Sequence, residues 1–360
     1  MKRRKSLKQR VRPRRPTILD IAAALGISPT AVSRGLRDLH GVSVDLREQI
    51  KQKALQLGYF PNLAGAALST GKTRSIIYLL PYTDFPHLLE MEVLDGLTNE
   101  VSKHGFNITI VSEQYLRGLK MPLAKSLKGM RADGCVSLFL RTEDPELGID
   151  DLHFPVVVVN KVVKAGNADF VITDDDRGAY AVTEHLIRNG HKKIVYLRGP
   201  SDNFNTRRRF KGFKQALLDH GLSIDNDLVQ ATDLTRGGGS AAMFRLLNNN
   251  RRDFTAVFGC NDIVALGALE ALKVSGVSVP LDISVAGFDN ESFSSIVEPA
   301  FTTVSKPRYE MGVRAGRLLL DRIDGTYSGP PRTVTLETAL ITRASTGRLE
   351  PSAPVLVHRA

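Results

Sequence analysis

The pattern of hydrophobic positions changes once along the chain, near residue 74. Between Thr17 and Gly58 apolar residues recur three or four positions apart, which is the spacing of one helix face. Beyond residue 74, short apolar runs of strand length alternate with longer stretches of helical periodicity. The pattern therefore predicts a small helical segment followed by an α/β region.

The helical segment divides into three short helices. Thr17 is suited to cap the first helix, and Gly26 ends it because the following tight turn needs a positive φ. Ser28 is suited to cap the second helix with Pro29 at its first position, and a third helix ends at Gly58. Two short helices joined by a glycine turn predict a helix-turn-helix, whose second helix enters the major groove of DNA.

The α/β region predicts a doubly wound parallel sheet. The clearest predicted strands are Ser75–Leu80, Asn107–Val111, Cys135–Leu140, Val156–Asn160, Ile194–Leu197, Ala256–Cys260 and Ser284–Phe288. The helices between them end repeatedly in glycine, at Gly105, Gly190, Gly221 and Gly276. The number of such units predicts two α/β subdomains, with ligands at the carboxyl ends of the strands.

The net charge of +11 is concentrated at the N-terminus. Residues 1–72 hold 15 of the 49 Lys and Arg but only 4 of the 38 Asp and Glu, whereas residues 73–360 hold 34 of each sign. Residues 1–15 alone contain nine basic residues and no acidic residue. A basic segment on an electrically neutral body indicates a polyanionic partner. It favours a DNA-binding head over a three-helix bundle without a DNA role.

The sequence disfavours several other classes of protein. No apolar run approaches the ~18 residues of a membrane span, and no apolar segment of a secretion signal follows the basic N-terminus. Cys135 and Cys260 lie far apart in apolar stretches, as expected of reduced thiols in the cytoplasm. The stretch GAALSTGKT (65–73) resembles a P-loop, but Gly65 is one position too early and no strand precedes it. We expect no enzyme, no metal and no cofactor.

Seven stretches in order resemble the lactose-repressor (LacI) family of bacterial transcription regulators. They are TILDIAAALGISPTAVSRGL (17–36), LGYFPN (57–62), NGHKKIVYLRGP (189–200), RRRFKGF (207–213), CNDIVALGALEAL (260–272), SVAGFDN (284–290) and EPAFTTV (298–304). The resemblance extends from Thr17 to about Arg343. It implies an all-α helix-turn-helix headpiece followed by a two-lobed effector domain like that of periplasmic binding proteins.

The resemblance implies that the second helix reads the major groove. The predicted DNA-binding residues of the head are Thr17, Ser28, Pro29, Thr30, Ser33 and Arg34. Arg34 is suited to pair with guanine or to grip a phosphate, Thr30 to touch a base edge, and the serines to bind phosphates. Ala31 and Gly35 depart from the family pattern, so these residues do not define the operator sequence.

The hinge of the family maps onto Asn62–Ser69. The resemblance implies a short helix that forms on DNA, packs against its dimer mate and inserts Leu68 into the minor groove, with Asn62 also at the DNA. Two residues depart from the pattern: Ala66 stands where the family usually has arginine, and Gly65 costs about 1 kcal/mol of helix stability relative to alanine. The alternative for Leu68 is a plain linker residue. A homodimer on a pseudo-palindromic operator is expected.

The resemblance also implies an effector site between the lobes. Arg209 matches an arginine that reaches into the cleft, and Asn261 and Asp289 follow strands as polar residues that face it. Lys161 offers a further cation, and Leu234 stands where relatives have an aromatic platform. An arginine facing a carboxylate and an amide suits a sugar or polyol, whose hydroxyls donate and accept. The alternative for each residue is a salt bridge or a helix cap.

Asp262 and the acidic run Asp174–Asp176 are interpreted as helix caps and not as ligands. Asp262 begins a predicted helix directly after Asn261, and the resemblance implies that the run Asp174–Asp176 falls at a strand-to-helix turn. The paired aromatics of the family's first cleft loop fall here on Leu89 and Glu90, and the chain contains no Trp. Stacking of a purine is therefore disfavoured against a hydroxyl-rich molecule.

These patterns predict five segments. They are a basic tail (1–16), a helix-turn-helix domain (17–58), a hinge and linker (59–73), a two-lobed effector and dimerisation domain (74–345) and a C-terminal tail (346–360). We expect a bacterial, cytoplasmic, nucleoid-associated regulator, a repressor of carbohydrate-utilisation genes controlled by a small sugar-like effector. No leucine heptad follows Ile341, which favours a dimer over a tetramer. The alternatives are a sugar-binding protein of periplasmic type without a DNA role and a regulator with a non-sugar effector.

Overall fold

A computed structural model describes most of the chain in two compact units that divide between Thr73 and Arg74. The described residues are 16–60, 73–81, 88–121, 123–138, 152–163, 167–249 and 253–349. The hinge positions Asn62 and Leu68 and the first 15 residues lie outside these ranges.

The first unit contains three helices around a small apolar core. Helix α1 is Ile18–Leu25, α2 is Pro29–Leu36 and α3 is Val44–Leu57. Each helix contributes one side chain that is fully buried, and these are Ile21, Val32 and Ile50. Gly26 ends α1 with φ 66°, so the chain makes the predicted turn into α2.

Close packing of α2 on α3 explains one departure from the family pattern. Gly35 is buried, and a Cβ at this position would overlap the Cδ1 of Ile50. A larger apolar residue would therefore displace the terminal methyl group of Ile50. The head accommodates the close approach through the smallest residue on α2.

The second unit is an α/β domain with two parallel sheets. Its strands are β1 Ser75–Leu80, β2 Asn107–Ser112, β3 Gly134–Ser137, β4 Val156–Val159, β5 Asp169–Thr173, β6 Ile194–Arg198, β7 Val229–Ala231, β8 Ala256–Gly259, β9 Ser284–Ala286, β10 Thr303–Ser305, β11 Thr333–Leu336 and β12 Ala339–Ile341. Its helices are α4 Leu88–Ser102, α5 Glu113–Gly118, α6 Leu123–Gly129, α7 Asp175–Arg188, α8 Phe204–Asp219, α9 Arg236–Asn248, α10 Asp262–Val274 and α11 Arg308–Ile323. Short 3₁₀ turns lie at Asn226–Leu228 and Ser292–Ser295.

Each parallel sheet forms the centre of one lobe. The first sheet has the order β11-β5-β4-β3-β1-β2, and the second has the order β7-β6-β8-β9. A two-stranded antiparallel pair of β10 and β12 accompanies them. Helices cover both faces, so the central strands are apolar throughout, as in the four buried valines of β4.

The chain passes between the two lobes three times. It enters the second lobe after β5, returns from β10 into α11, and crosses again between β11 and β12. Helix α11 packs on the first sheet and against α4, where Gly96 and Gly312 allow the backbones to approach. Neither lobe is therefore a continuous segment of sequence.

The predicted fold class is confirmed: a helical head precedes a domain of two parallel-sheet lobes. All seven predicted strands are present; β1 has the predicted bounds, and the other six differ by one to three residues at an end. Five strands were not predicted, and they are β5, β7, β10, β11 and β12. Within the described residues, no helix combines the length and apolar character needed to cross a membrane.

Candidate DNA interface and interlobe cleft

Helix α2 and its cap present polar side chains to solvent. Ser28, Pro29, Thr30 and Arg34 are exposed, and Ser33 is half-buried, while Val32 anchors the helix in the core. Ser28 caps the helix, because its Oγ accepts a hydrogen bond of 3.1 Å from the N–H of Ala31. Five of the six predicted head residues thus share one short, partly solvent-facing segment.

The sixth head residue, Thr17, lies at the start of α1. Its backbone N–H and its hydroxyl both donate to the carboxylate of Asp20, at 2.7 and 2.8 Å. The hydroxyl is thereby oriented by Asp20, and Thr17 is half-buried. Because Thr17 caps α1, it lies beside the first N–H groups of this helix, and a helix N-terminus favours the binding of phosphates.

Arg209 is the centre of a buried ion cluster at the carboxyl ends of the second sheet. Its side chain on α8 is only 4% exposed. Its Nε donates to Asp175 at 2.8 Å, its Nη2 to Asp289 at 2.7 Å, and its Nη1 to the carbonyl oxygen of Cys260 at 2.6 Å. The guanidinium also lies 3.9 Å from the centroid of the Phe288 ring.

Lys306 extends this cluster to the first lobe. It lies on the crossover between β10 and α11, and its side chain is 2% exposed. Its Nζ lies 3.2 Å from Oδ1 of Asp289 and 3.8 Å from Oδ2 of Asp175. It also donates to Oδ1 of Asn160, at 3.0 Å, and Asn160 directly follows β4 of the first sheet. One polar cluster therefore joins the carboxyl ends of both sheets.

The electrostatics of the cluster keep its carboxylate charged. Burial raises the pKa of Asp289, but Arg209 and Lys306 lower it more, so its pKa lies below the ordinary value. Burial lowers the pKa of Arg209, while Asp289 and Asp175 raise it more. Asp289 is 21% exposed, so this carboxylate is the member of the cluster with the most open access.

The backbone that carries Asp289 is held in an unusual conformation. Asp289 and Asn290 both have positive φ, 103° and 51°. Arg308 donates to the carbonyl oxygens of both residues and pairs with Glu291 at 3.1 Å. The hydroxyl of Thr303 accepts from the N–H of Asn290. The surrounding side chains thus compensate for the conformational cost of the turn.

The prediction that Asp262 caps its helix is wrong. Asn261 is the cap, because its Oδ1 accepts at 2.8 Å from the N–H of Val264. Asp262 is fully buried and accepts from the hydroxyls of Ser294 and Thr303 and from the N–H of Glu291. Burial raises its pKa to about 7. Asp262 therefore accepts hydrogen bonds from neighbouring segments of the chain and does not cap its own helix.

The acidic run 174–176 divides into three roles. Asp174 caps α7 as predicted, accepting from the N–H of Arg177. Asp175 turns inward to Arg209, and Asp176 accepts from Nε of Arg208 at 2.5 Å. The capping interpretation was therefore right for the first residue and wrong for the second, which belongs to the cleft.

The two remaining predicted cleft residues lie at the ends of strands. Lys161 is half-buried and follows Asn160 directly. Leu234 has φ 69° and lies over Gly199, where a Cβ would overlap its Cδ2, close to Thr206 on α8. The structure brings Arg209 and Asp289 into contact. The side chain of Asn261 is used as the cap, although the residue is adjacent to Cys260 of the cluster.

Sequence reasoning missed four members of this region, namely Asn160, Asp175, Lys306 and Arg308. Asn160 directly follows β4 and Asp175 lies two residues after β5, close to the strand ends where polar residues line the cleft of such folds. That position was the available indication for Asn160 and Asp175. Lys306 and Arg308 follow the three-residue strand β10, which the hydrophobic pattern does not reveal.

Comparison with known proteins matches both units. Residues 17–62 match the model of bacterial regulatory proteins of the lacI family, and residues 183–346 match the periplasmic binding protein-like domain. The HTH-type transcriptional regulator CelR of Thermobifida fusca is 33% identical over 341 residues, which cover 93% of this chain and 99% of CelR. The HTH-type transcriptional repressor CytR of Escherichia coli (strain K12) is 30% identical over 338 residues, covering 92% of this chain and 97% of CytR.

A solved structure of similar fold is the CelR-cellobiose complex. Its TM-score is 0.69 at 30% identity, covering 92% of this chain and all of that chain. An exposed helix-turn-helix surface and a periplasmic-binding-protein-like domain together define a DNA-binding transcriptional regulator. The chain belongs to the LacI family of bacterial regulatory proteins.

Proposed function

We propose that this regulator is a homodimeric repressor of carbohydrate-utilisation genes, controlled by a sugar-like effector in the interlobe cleft. It acts on pseudo-palindromic operators in the nucleoid of the bacterial cytoplasm and has no enzymatic activity. The names of its relatives support this assignment, since CytR is a repressor and the CelR structure holds cellobiose. In the family such a protein changes its operator affinity when the effector binds.

The observation that carries the effector proposal is the polar cluster around Arg209. It lies at the carboxyl ends of both sheets, where ligands bind in folds of this kind. It contains fixed donors on Arg209 and Lys306 and fixed acceptors on Asp289 and Asn160. Sugar hydroxyls both donate and accept, so one hydroxyl satisfies both kinds of group.

The crossovers supply a physical route from effector to DNA. Asp175 begins the helix after the first crossover, and Lys306 lies on the second, so the cleft charges are attached to the segments that join the lobes. An effector that binds one lobe arrangement more tightly shifts the equilibrium towards it. Linkage then requires operator DNA to change effector affinity by the same factor.

The DNA proposal is tested with the full-length protein and fragments of bacterial genomic DNA at graded salt. We expect retention of a palindromic site with a steep salt dependence. Arg34→Ala is expected to weaken specific binding by about 1–3 kcal/mol if Arg34 reads a base. Lys51→Ala removes one exposed head charge outside α2 and serves as the control. No fragment retained above background would contradict the proposal.

The effector proposal is tested by thermal shift with sugars, polyols and sugar phosphates. We expect one class to raise the Tm and to change operator affinity in the same assay. Asp289→Ala should abolish this response while operator binding without effector persists. A normal response in this variant would remove Asp289 from the site. The same experiments test the two alternatives. Effector binding without retention of DNA would indicate a sugar-binding protein without a DNA role. A response to a non-sugar compound alone would indicate a regulator with a non-sugar effector.

A further inference from the structure

Lys306 is a buried cation that lies between the two lobes. Its side chain is 2% exposed, and its Nζ contacts Asp289 at 3.2 Å, Asp175 at 3.8 Å and the amide oxygen of Asn160 at 3.0 Å. Nζ also lies 5.9 Å from the centroid of the Phe288 ring. A buried lysine needs such compensation, because an isolated ammonium is costly to remove from water.

The charges of the cluster cancel. Two carboxylates, Asp175 and Asp289, face two cations, Arg209 and Lys306, and each cation lies within 4 Å of both carboxylates. The neighbouring Arg308 is paired with Glu291 at 3.1 Å. These four groups are therefore electrically neutral together, and the three that remain without Lys306 carry a charge of −1.

This balance determines which kind of ligand the cleft accepts. A phosphate or carboxylate at the cluster would approach the carboxylate of Asp289, while both nearby cations already have carboxylate partners. An uncharged hydroxyl compound brings no net charge into the buried site, and it donates to Asp289 and accepts from the cations. Neutral ligands are thus favoured over anionic ligands of the same shape.

We propose that the charge-balanced cluster makes the cleft select an uncharged polyhydroxyl effector over its charged derivatives, and that Lys306 is the specificity-determining residue whose positive charge excludes a protonated amino derivative. The inference rests on the proposed sugar-effector function of the cleft. The inference adds the charge of the effector to that proposed function, and it attributes the exclusion of a protonated amino derivative to Lys306. Lys306 acts here through the charge that it contributes and through its contacts with Asp289 and Asn160.

The test measures ligand affinity by calorimetry on the full-length protein. The probes are cellobiose, ribose with ribose 5-phosphate, and glucose with glucosamine and glucose 6-phosphate. For the unsubstituted protein we expect a neutral sugar to bind at least tenfold more tightly than its phosphate ester or its protonated amino derivative. Operator retention is measured on the same preparations.

Two variants separate charge from structure. Lys306→Gln keeps a polar side chain but leaves the cluster at −1, so the protonated amino sugar should gain at least tenfold relative to its neutral parent. Lys306→Arg keeps the charge and should keep the preference for the neutral sugar. The Tm of both variants is expected to fall by several degrees, and only the relative affinities carry the conclusion.

Three results would overturn the proposal. Tighter binding of a phosphate ester than of its neutral parent would refute the charge class while the sugar-effector function stands. An equal loss of affinity for all probes in Lys306→Gln would show that Lys306 only supports the structure. Failure of every probe to bind a protein that still retains operator DNA would overturn the sugar-effector function and this inference together.

Discussion

Two buried aspartates show how the surroundings of one residue type determine its chemistry. Burial raises the pKa of Asp169, but hydrogen bonds from the guanidinium groups of Arg322 and Arg332 and from the backbone N–H of Arg332 together lower it more. Asp262 accepts only from two hydroxyls and a backbone N–H, and burial raises its pKa to about 7. The two groups therefore give stability opposite dependences on pH.

Asp262 is expected to stabilise the fold in acid and to lose this contribution as the pH rises. Its pKa is about 3.9 in the unfolded chain and about 7 in the folded protein. The contribution to the free energy of unfolding is therefore complete below about pH 4 and decreases as the pH rises from there through about 7. Asp262→Asn cannot titrate, and its unfolding free energy should lack this slope. Urea unfolding at pH 5, 6, 7 and 8 measures the difference, and parallel profiles for the two proteins would contradict the assignment.

Asp169 is expected to behave in the opposite way. Its folded pKa lies below the unfolded value, so its contribution is present above about pH 4 and is lost as the pH falls through the folded pKa. Asp169→Asn leaves Arg322 and Arg332 without their shared carboxylate and should cost about 3 kcal/mol at pH 7. Denaturant unfolding at pH 7 measures this loss, and a loss below 1 kcal/mol would contradict it.

Single residues of the cleft were predictable to different degrees. Arg209 and Asp289 lie in stretches that match the family, and the structure joins their side chains. Asp175 was hidden because three consecutive aspartates before a helix have the pattern of a cap, and only the fold decides which one turns inward. Asn261 and Asp262 were interpreted in the wrong order, since either side chain satisfies the capping pattern.

At the scale of elements, the crossing of α4 and α11 depends on two glycines. A Cβ at Gly312 would overlap the carbonyl oxygen of Val93, and a Cβ at Gly96 would overlap that of Tyr309. The obstructing atoms belong to the helix backbones, which cannot rotate away as a side chain does. Both helices are therefore closer than alanine allows.

Gly312→Ala is expected to destabilise the first lobe by about 1–3 kcal/mol, because the helices must separate. Gly129→Ala is the matched control. Gly129 is exposed at the end of α6 with open space around its Cβ position, so alanine should be neutral or stabilising by up to about 1 kcal/mol. Denaturant midpoints of both variants provide the measurement. Equal effects of the two substitutions would argue against close packing at the crossing.

Length and burial explain the predictability of several strands, although the buried five-residue strand β5 was not predicted. Strands β1 and β4 are buried on both faces of the sheet, so each is a continuous apolar run that is recognisable in the sequence. Strand β11 alternates exposed and half-buried residues at the edge of its sheet, and β7, β10 and β12 are only three residues long. Such strands are defined by their neighbours in the sheet, which are distant in sequence.

For the whole molecule, the charge and the DNA-reading residues occupy different segments. Residues 1–15 contribute +9 of the net +11, whereas residues 16–72 contribute only +2 from six basic and four acidic residues. The exposed polar residues of α2 belong to this nearly neutral part. Attraction to phosphates and choice of sequence are therefore expected to be separable.

Deletion of residues 2–15 should lower affinity for all DNA and leave the preferred site unchanged. Each phosphate contact that is lost should reduce the salt slope by about 0.9. Replacing the nine basic residues of this segment by Gln retains its length and should give the same result. Titrations of specific and nonspecific duplexes at several salt concentrations measure both quantities. A changed site preference would assign sequence reading to the tail.

The three crossings between the lobes also constrain how the protein forms during synthesis. The first sheet needs β11 at its edge, and α11 supplies Met311, Leu318 and Leu319 to the core beneath it. These segments leave the ribosome more than 130 residues after β5, with the second lobe between them. The lobe that begins first is therefore completed only after most of the second lobe has been synthesised, and until then its apolar face and its β5 edge are open to chaperones or to aggregation.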